Sequence, residues 1–273
     1  MKAAEMYKVE GYGAIVTGGA SGLGLSYVEV LAENGARVTM LDIDRAGIDR
    51  EVGRLRKAGY DVDGKVVDVT DRAAVHRAFD EVAAQYGRLD VTFANAGIDP
   101  GPGFVTFDRT KRPDEFAIEN YADERWDHVI DTNLNSVFTT IKAAARLMKP
   151  RKSGRIIVTT SVAAFMIEGA IGAAYMAAKA AAAHLMRNAA LELAKHNILV
   201  NAIAPGAFIT NIGGGHAHTK VVQDAFAKVA PLHRMATTEE MKGLALFLAS
   251  PASSYVTGSQ IVIDGGMQIG VAD

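Results

Sequence analysis

Short apolar runs alternate along the chain with longer stretches in which apolar residues return every three or four positions. The short runs, at residues 14–17, 38–41, 65–67, 91–94, 155–160, 199–203 and 260–263, predict seven strands. The longer stretches, at 22–34, 45–58, 71–86, 123–148, 173–196 and 238–249, predict helices. Ala14-Ile15-Val16 and Ile156-Ile157-Val158 are apolar without alternation, as strands covered on both faces are. Strand–helix–strand alternation of this kind predicts an α/β fold, a single doubly wound domain over residues 1–273. Its sheet would be parallel and seven-stranded, with helices on both faces. Two long connections interrupt the rhythm. Residues 98–122 hold Pro100, Pro102 and Pro113, and residues 206–237 hold Gly213-Gly214-Gly215. Both follow strands, at the ends where open α/β sheets take ligands, and both are expected to serve function.

Composition narrows the classes. The chain has 273 residues, is 49% hydrophobic and 22% charged, and carries a net charge of -2 with both signs dispersed. No basic stripe suggests nucleic acid. No apolar run is long enough to predict a membrane span, and the Ala-rich stretch 173–194 is broken by Lys179, His184, Arg187 and Glu192. There is no cysteine, which removes disulfides, thiolate metal sites and thiol nucleophiles, and fits a cytoplasmic protein. His216 and His218 lack a placed carboxylate, so no metal is expected.

The first strand runs into Thr17-Gly18-Gly19-Ala20-Ser21-Gly22-Leu23-Gly24 and then directly into a helix. Glycines there let the chain turn sharply, let the backbone approach a pyrophosphate, and let the helix pack on the sheet. The helix N-terminus offers free amides and a positive dipole end to phosphate. Asp42 ends the second strand, where a carboxylate can accept hydrogen bonds from adenosine ribose hydroxyls. It would repel a 2′-phosphate, so the cofactor expected is NAD. Arg45 is the neighbour that argues the other way.

Tyr175 and Lys179 stand four apart on a predicted helix, hence on one face. A tyrosine of ordinary pKa near 10 is a poor base. An ammonium beside it favours the phenolate, against the cost of burial, and readies it for general acid/base work. Ser161 ends the fifth strand and can hold a substrate oxygen. It has no Gly-x-Ser-x-Gly elbow, so it is not read as a nucleophile. Asn133 sits mid-helix, where asparagine is a mediocre former. Its carbonyl would be explained by a water held beside Lys179; a simple polar contact is the other reading.

These pieces together resemble the short-chain dehydrogenase/reductase family. In order they are residues 17–24, Asp68-Val69, Asn95-Ala96-Gly97, Asn133, Ser161, Tyr175 with Lys179, Pro205-Gly206 with Thr210, and residues 255–266. The resemblance implies a catalytic tetrad of Asn133, Ser161, Tyr175 and Lys179. It implies that Tyr175 exchanges a proton with the alcohol or ketone oxygen, and that Lys179 also holds the nicotinamide ribose. The cofactor set it implies is Gly18, Ser21, Gly22, Leu23, Gly24, Asp42, Ile43, Asp68, Val69, Asn95, Ala96, Gly97, Tyr175, Lys179, Pro205, Gly206, Phe208 and Thr210. Within it, Asp68 and Val69 frame the adenine, and Thr210, with Phe208 beside it, holds the nicotinamide carboxamide. The activity implied is NAD-dependent interconversion of a secondary alcohol and its ketone on a small-molecule substrate, by a homotetramer or homodimer. A substrate pocket of Ser161, Ala163, Ile167, Phe208 and Ile212 is expected, with Phe104 and Phe107 nearby. Its apolar character suggests a hydrophobic cyclic or aromatic alcohol; Glu168 would suit a polar diol instead. A 3-oxoacyl thioester reductase and a catalytically silent dinucleotide-binding relative stay open as alternatives. The chain departs from the family in three places. Ser161 and Tyr175 stand one position further apart than is common. The 98–122 segment is long, and Glu10-Gly11-Tyr12-Gly13 replaces a basic opening.

Overall fold

The computed structural model describes residues 2–100, 113–167 and 171–270. Seven parallel strands form one sheet: β1 (Gly13–Thr17), β2 (Arg37–Asp42), β3 (Val62–Val66), β4 (Val91–Ala94), β5 (Gly154–Thr159), β6 (Ile198–Pro205) and β7 (Gln260–Ile263). Their spatial order is β3-β2-β1-β4-β5-β6-β7. The chain winds outward from β1 to β3, then crosses back to place β4 on the other side of β1. The β1–β4 boundary is therefore the switch point, where diverging connections leave a crevice at the carboxyl ends of the strands. The helices are α1 (Ala3–Met6), α2 (Gly22–Glu33), α3 (Arg45–Lys57), α4 (Arg72–Tyr86), α5 (Asp123–Ile130), α6 (Ser136–Met148), α7 (Ala173–Leu193), α8 (Lys220–Ala227) and α9 (Lys242–Ala249).

The non-alternating strands are explained by two cores, one on each face. Ala14 and Val16 of β1 pack into one with residues of α2, α3 and α9; Ile15 packs into the other with residues of α4, α6 and α7. Ile156 and Val158 of β5 share the second core, while Ile157 points to the first. Successive side chains alternate faces as any strand requires. Both faces are apolar because helices cover both.

Three elements differ from expectation. The third strand is Val62–Val66, earlier than 65–67, because pairing with β2 from Val38 to Asp42 sets its register. The predicted helix 123–148 is interrupted by a π-turn at Asp131–Asn135. Asn133 lies in that turn and donates from Nδ2 to the Val129 carbonyl at 3.0 Å, four residues back. A side chain that bonds that carbonyl competes with the backbone ladder, and the turn widens. The 206–237 connection also folds a helix of its own, α8, started by Thr219 accepting from Val222 N at 3.4 Å.

Candidate active site

At the switch point β1 and β4 are tied by one hydroxyl and one amide. Thr17 Oγ1 accepts from the backbone amides of Asn95 at 2.9 Å and Ala96 at 3.1 Å. Asn95 Nδ2 donates to the carbonyls of Thr17 at 3.0 Å and Gly18 at 3.2 Å. The side chain of Asn95 thus fastens the glycine loop. Gly18 has φ +65, and a Cβ there would lie 2.9 Å from Ala96 Cα. A Cβ on Gly24 would lie 1.9 Å from the Gly18 carbonyl oxygen. No other residue lets α2 begin this close to β1, and the first amides of α2 have no acceptor within the helix.

Asp42 closes β2 with both carboxylate oxygens engaged. Oδ2 accepts from Ala20 N at 3.0 Å and Oδ1 from Asp44 N at 3.0 Å. This shapes the glycine loop and the β2–α3 turn around one negative charge.

One cavity of about 1120 Å³ runs along the carboxyl edge of the sheet. Gly18, Ser21, Gly22, Leu23, Gly24, Asp42, Ile43, Asp68, Val69, Asn95, Ala96 and Gly97 line one end. Ser161, Tyr175, Lys179, Pro205, Gly206, Phe208, Thr210 and Ile212 line the other. Two expected pocket residues lie elsewhere. Ala163 is buried beneath Tyr175 with Val129 and Ala174, and Ile167 is 90% exposed; neither lines the cavity. Phe104, Phe107 and Glu168 fall outside the described residues.

Tyr175, Lys179 and Ser161 are buried and adjacent. Lys179 Nζ lies 5.4 Å from the Tyr175 ring centroid and donates to the Thr159 carbonyl at 2.9 Å. Ser161 Oγ accepts from Ala163 N at 3.1 Å. Burial pushes the Tyr175 phenol above its usual range, the Asp99 charge adds to this, and a hydrogen bond with Ser161 opposes it. Burial pulls the Lys179 ammonium down to about 8, against the attraction of Asp99. The sequence led us to expect a phenol eased by its lysine. In the folded chain desolvation is the largest influence on the phenol, the Asp99 charge acts in the same direction, and the Ser161 hydrogen bond alone opposes them.

Asn133 is fully buried and clamps the irregular segment that follows β4. Its Oδ1 accepts from Ile98 N at 3.1 Å, and its Nδ2 donates to Ile98 O at 2.9 Å. The side-chain carbonyl is therefore spent on backbone. Gly97 makes the approach possible: a Cβ there would sit 2.5 Å from Asn133 Oδ1 and 3.4 Å from Lys179 Nζ.

Asp99, 7% exposed, lines the cavity two positions beyond the Asn95-Ala96-Gly97 motif, within the 98–122 connection expected to serve function, and Met166 lines it too. Sequence reasoning missed Val162, Ile171, Phe226, Val229 and Met267, which add apolar wall. Asp99 had a signal, a carboxylate next to a motif at a strand end. Phe226 had none, since its helix lay hidden in a glycine-rich stretch. Among the described residues no group of side chains could hold a metal ion, and no helix is long and apolar enough to cross a membrane.

A doubly wound parallel sheet, a glycine cradle at its switch point, and a buried serine, tyrosine and lysine in one cavity define a dinucleotide-binding oxidoreductase. Comparison with known proteins agrees. The family described as Enoyl-(Acyl carrier protein) reductase matches residues 18–268. (+)-Borneol dehydrogenase 1 of Salvia officinalis is 36% identical over 96% of this chain and 95% of its own. A 3-oxoacyl-[acyl-carrier-protein] reductase of Thermotoga maritima is 36% identical, over 96% of this chain and 100% of its own. A crystal structure of a gluconate 5-dehydrogenase from Burkholderia cenocepacia, in complex with NADP and tartrate, superposes with a TM-score of 0.87. It is 30% identical and covers 99% of this chain and 100% of that one. The chain belongs to the short-chain dehydrogenase/reductase family.

Proposed function

We propose that the protein interconverts a hydrophobic, cyclic or aromatic secondary alcohol and its ketone with NAD, as one 273-residue domain. The observation that carries this reading is the convergence of Ser161, Tyr175 and Lys179 on the cavity that the glycine loop opens into. The residues present fit a dinucleotide. A glycine cradle that a Cβ would fill suits a pyrophosphate beside Gly18, Ser21, Gly22, Leu23 and Gly24. Asp42, with Ile43, suits an unphosphorylated adenosine ribose. Asp68 and Val69 would frame the adenine, and Asn95, Ala96 and Gly97 the middle of the cleft. Lys179, Pro205, Gly206, Phe208 and Thr210 would hold the nicotinamide end. When bound, the cofactor exchanges a hydride with the substrate carbon.

The chain's own part is proton transfer and placement. The Tyr175 hydroxyl gives its proton to a ketone oxygen, or, as the phenolate, takes one from an alcohol. Ser161, hydrogen-bonded to Tyr175, holds the same oxygen. Lys179, with its pKa near 8, stands where a proton can be passed on. Asn133 keeps Gly97 and Ile98 in place and so shapes the wall beside Lys179. The apolar run of Ile98, Val162, Met166, Ile171 and Ile212 supports a substrate with a hydrocarbon body.

A 3-oxoacyl thioester reductase is the second reading, favoured by the 36% identity to the Thermotoga maritima enzyme. Four-residue spacing of Tyr175 and Lys179 favours carbonyl over enoyl chemistry. Absorbance at 340 nm, with NAD and NADP in parallel over cyclic alcohols, their ketones and an acetoacetyl thioester, separates these readings. Full turnover by Tyr175→Phe defeats both. We read the assembly as a homotetramer or homodimer acting in the cytoplasm. Phe138 of α6 and Leu191 of α7, exposed at 44% and 84%, support an apolar contact between copies, and light scattering tests it.

A further inference from the structure

We propose that Met267, carried by the segment after β7, closes the substrate end of the cavity and sets the size of the hydrocarbon body that the enzyme accepts. The inference rests on the dehydrogenase reading and narrows its substrate class: the body of the alcohol runs from the carbinol toward Met267 and the end of α8.

β7 ends at Ile263, and the chain then reverses through Gly265 and Gly266, with φ +66 and +89. Glycine takes two such values in succession at no steric cost. Asp264 fixes the reversal with both carboxylate oxygens. Oδ1 accepts from Gly266 N at 2.8 Å and Oδ2 from Gln268 N at 2.9 Å. The short turn Met267–Ile269 follows, and Met267 is 8% exposed and lines the cavity.

Contacts on two sides place this hook. Gly206 N donates to Ile263 O at 2.9 Å, and a Cβ on Gly206 would lie 2.6 Å from Asp264 Cβ. The hook therefore stands against Pro205-Gly206, at the end of the cavity that carries Ser161, Tyr175 and Lys179. Leu232 N donates to Gly265 O at 3.2 Å, and a Cβ on Gly266 would lie 3.0 Å from Pro231 Cγ. Pro231 and Leu232 follow the segment that brings Phe226 of α8, and Val229 just beyond it, to the same cavity. Phe226, Val229 and Met267 thus form one apolar wall, tied together through the backbone.

Hydride transfer requires the reacting carbon at the nicotinamide end, with its oxygen at Tyr175 and Ser161. That end is the one the hook stands against, so Met267 bounds how far the rest of the substrate reaches. A wall whose backbone is pinned on both sides does not retreat from a larger ring. The length of the side chain at 267 then decides what fits. Methionine, unbranched and with three rotatable bonds, folds around bodies of varied outline while still limiting their length.

The proposal is tested by kcat/KM with NAD for cyclohexanol, 4-tert-butylcyclohexanol and decahydro-2-naphthol, in the native protein and in Met267→Ala, Met267→Leu and Met267→Phe. NAD affinity is measured alongside by calorimetry. Met267→Ala should raise the efficiency on the two larger alcohols, relative to cyclohexanol, by roughly tenfold or more, the scale on which one methylene in an apolar pocket discriminates. Met267→Phe should lower that ratio by a similar factor. Met267→Leu conserves volume and should leave it within about threefold. Together with Met267→Phe it carries the test if the alanine variant does not fold. Ratios that stay within about threefold in every folded variant overturn the proposal and leave the dehydrogenase reading intact. So does a fall in all three efficiencies in step with weaker NAD binding, which would make Met267 a wall of the cofactor site. No turnover of any of the three, or of their ketones, with either cofactor overturns the dehydrogenase reading and this proposal with it.

Discussion

In the function proposed above, cofactor choice turns on Asp42, and replacing it with asparagine gives a test that needs no substrate. Its carboxylate lines the cavity at the end of β2, held by Ala20 N and Asp44 N at 3.0 Å each. A 2′-phosphate at the ribose position would come within about 4–5 Å of it. One unit of like charge at that distance costs about 3–4 kcal/mol at an effective dielectric of ~20. Partial exposure and a Debye length of about 8 Å trim this to about 2–4 kcal/mol. The native protein should therefore bind NAD roughly 30- to 700-fold more tightly than NADP. Asp42→Asn removes the charge but keeps one carbonyl acceptor. One of the two backbone bonds is lost, weakening both cofactors by about 1–2 kcal/mol through a looser glycine loop. The ratio between them should shrink at least tenfold. Titration calorimetry of both dinucleotides against both proteins reads this directly. The Burkholderia cenocepacia relative was crystallised with NADP, so the opposite outcome has a precedent in the family. Equal affinity in the native protein, or a ratio that Asp42→Asn moves by less than threefold, would refute the electrostatic argument.

Four further outcomes follow from the same contacts. Tyr175→Phe removes the only proton-carrying atom of the side chain and should lower kcat by roughly 10²–10⁴, with dinucleotide affinity changed by less than threefold. Because burial and Asp99 hold the phenol up, kcat/KM for alcohol oxidation should still be rising at pH 9, while ketone reduction, which needs the protonated phenol, stays level from pH 6 to 8; an oxidation limb that levels off below pH 7 contradicts this. Gly24→Ala places a methyl 1.9 Å from the Gly18 oxygen and should cost about 3 kcal/mol, visible as a Tm lower by several degrees that NAD no longer raises. Asp90 is nearly buried, accepts from Gly13 N at 2.9 Å and pairs with Arg88, so Asp90→Asn should cost about 2–3 kcal/mol in urea unfolding with an unchanged m-value.

The fold was largely legible because its signals are local. A strand buried on both faces must be apolar throughout, so Ala14-Ile15-Val16 and Ile156-Ile157-Val158 announced a covered parallel sheet. A turn as tight as the one at Gly18 admits only glycine, so the cradle was written in residue types. Tyr175 and Lys179 share a face because a helix has 3.6 residues per turn. What composition and spacing could not hold was everything set by contact between distant segments. The π-turn at Asp131–Asn135 exists around an asparagine whose bonds include Ile98, 35 residues away. The state of Tyr175 depends on how much solvent the surrounding walls exclude, which no helical spacing reports. Asp99 became part of the site only when β4 was set beside β1 and β5. Local geometry constrains which residue types a position accepts, and so it is recorded in the sequence. Desolvation and charge coupling depend on what the rest of the chain brings near, and only the folded molecule fixes that.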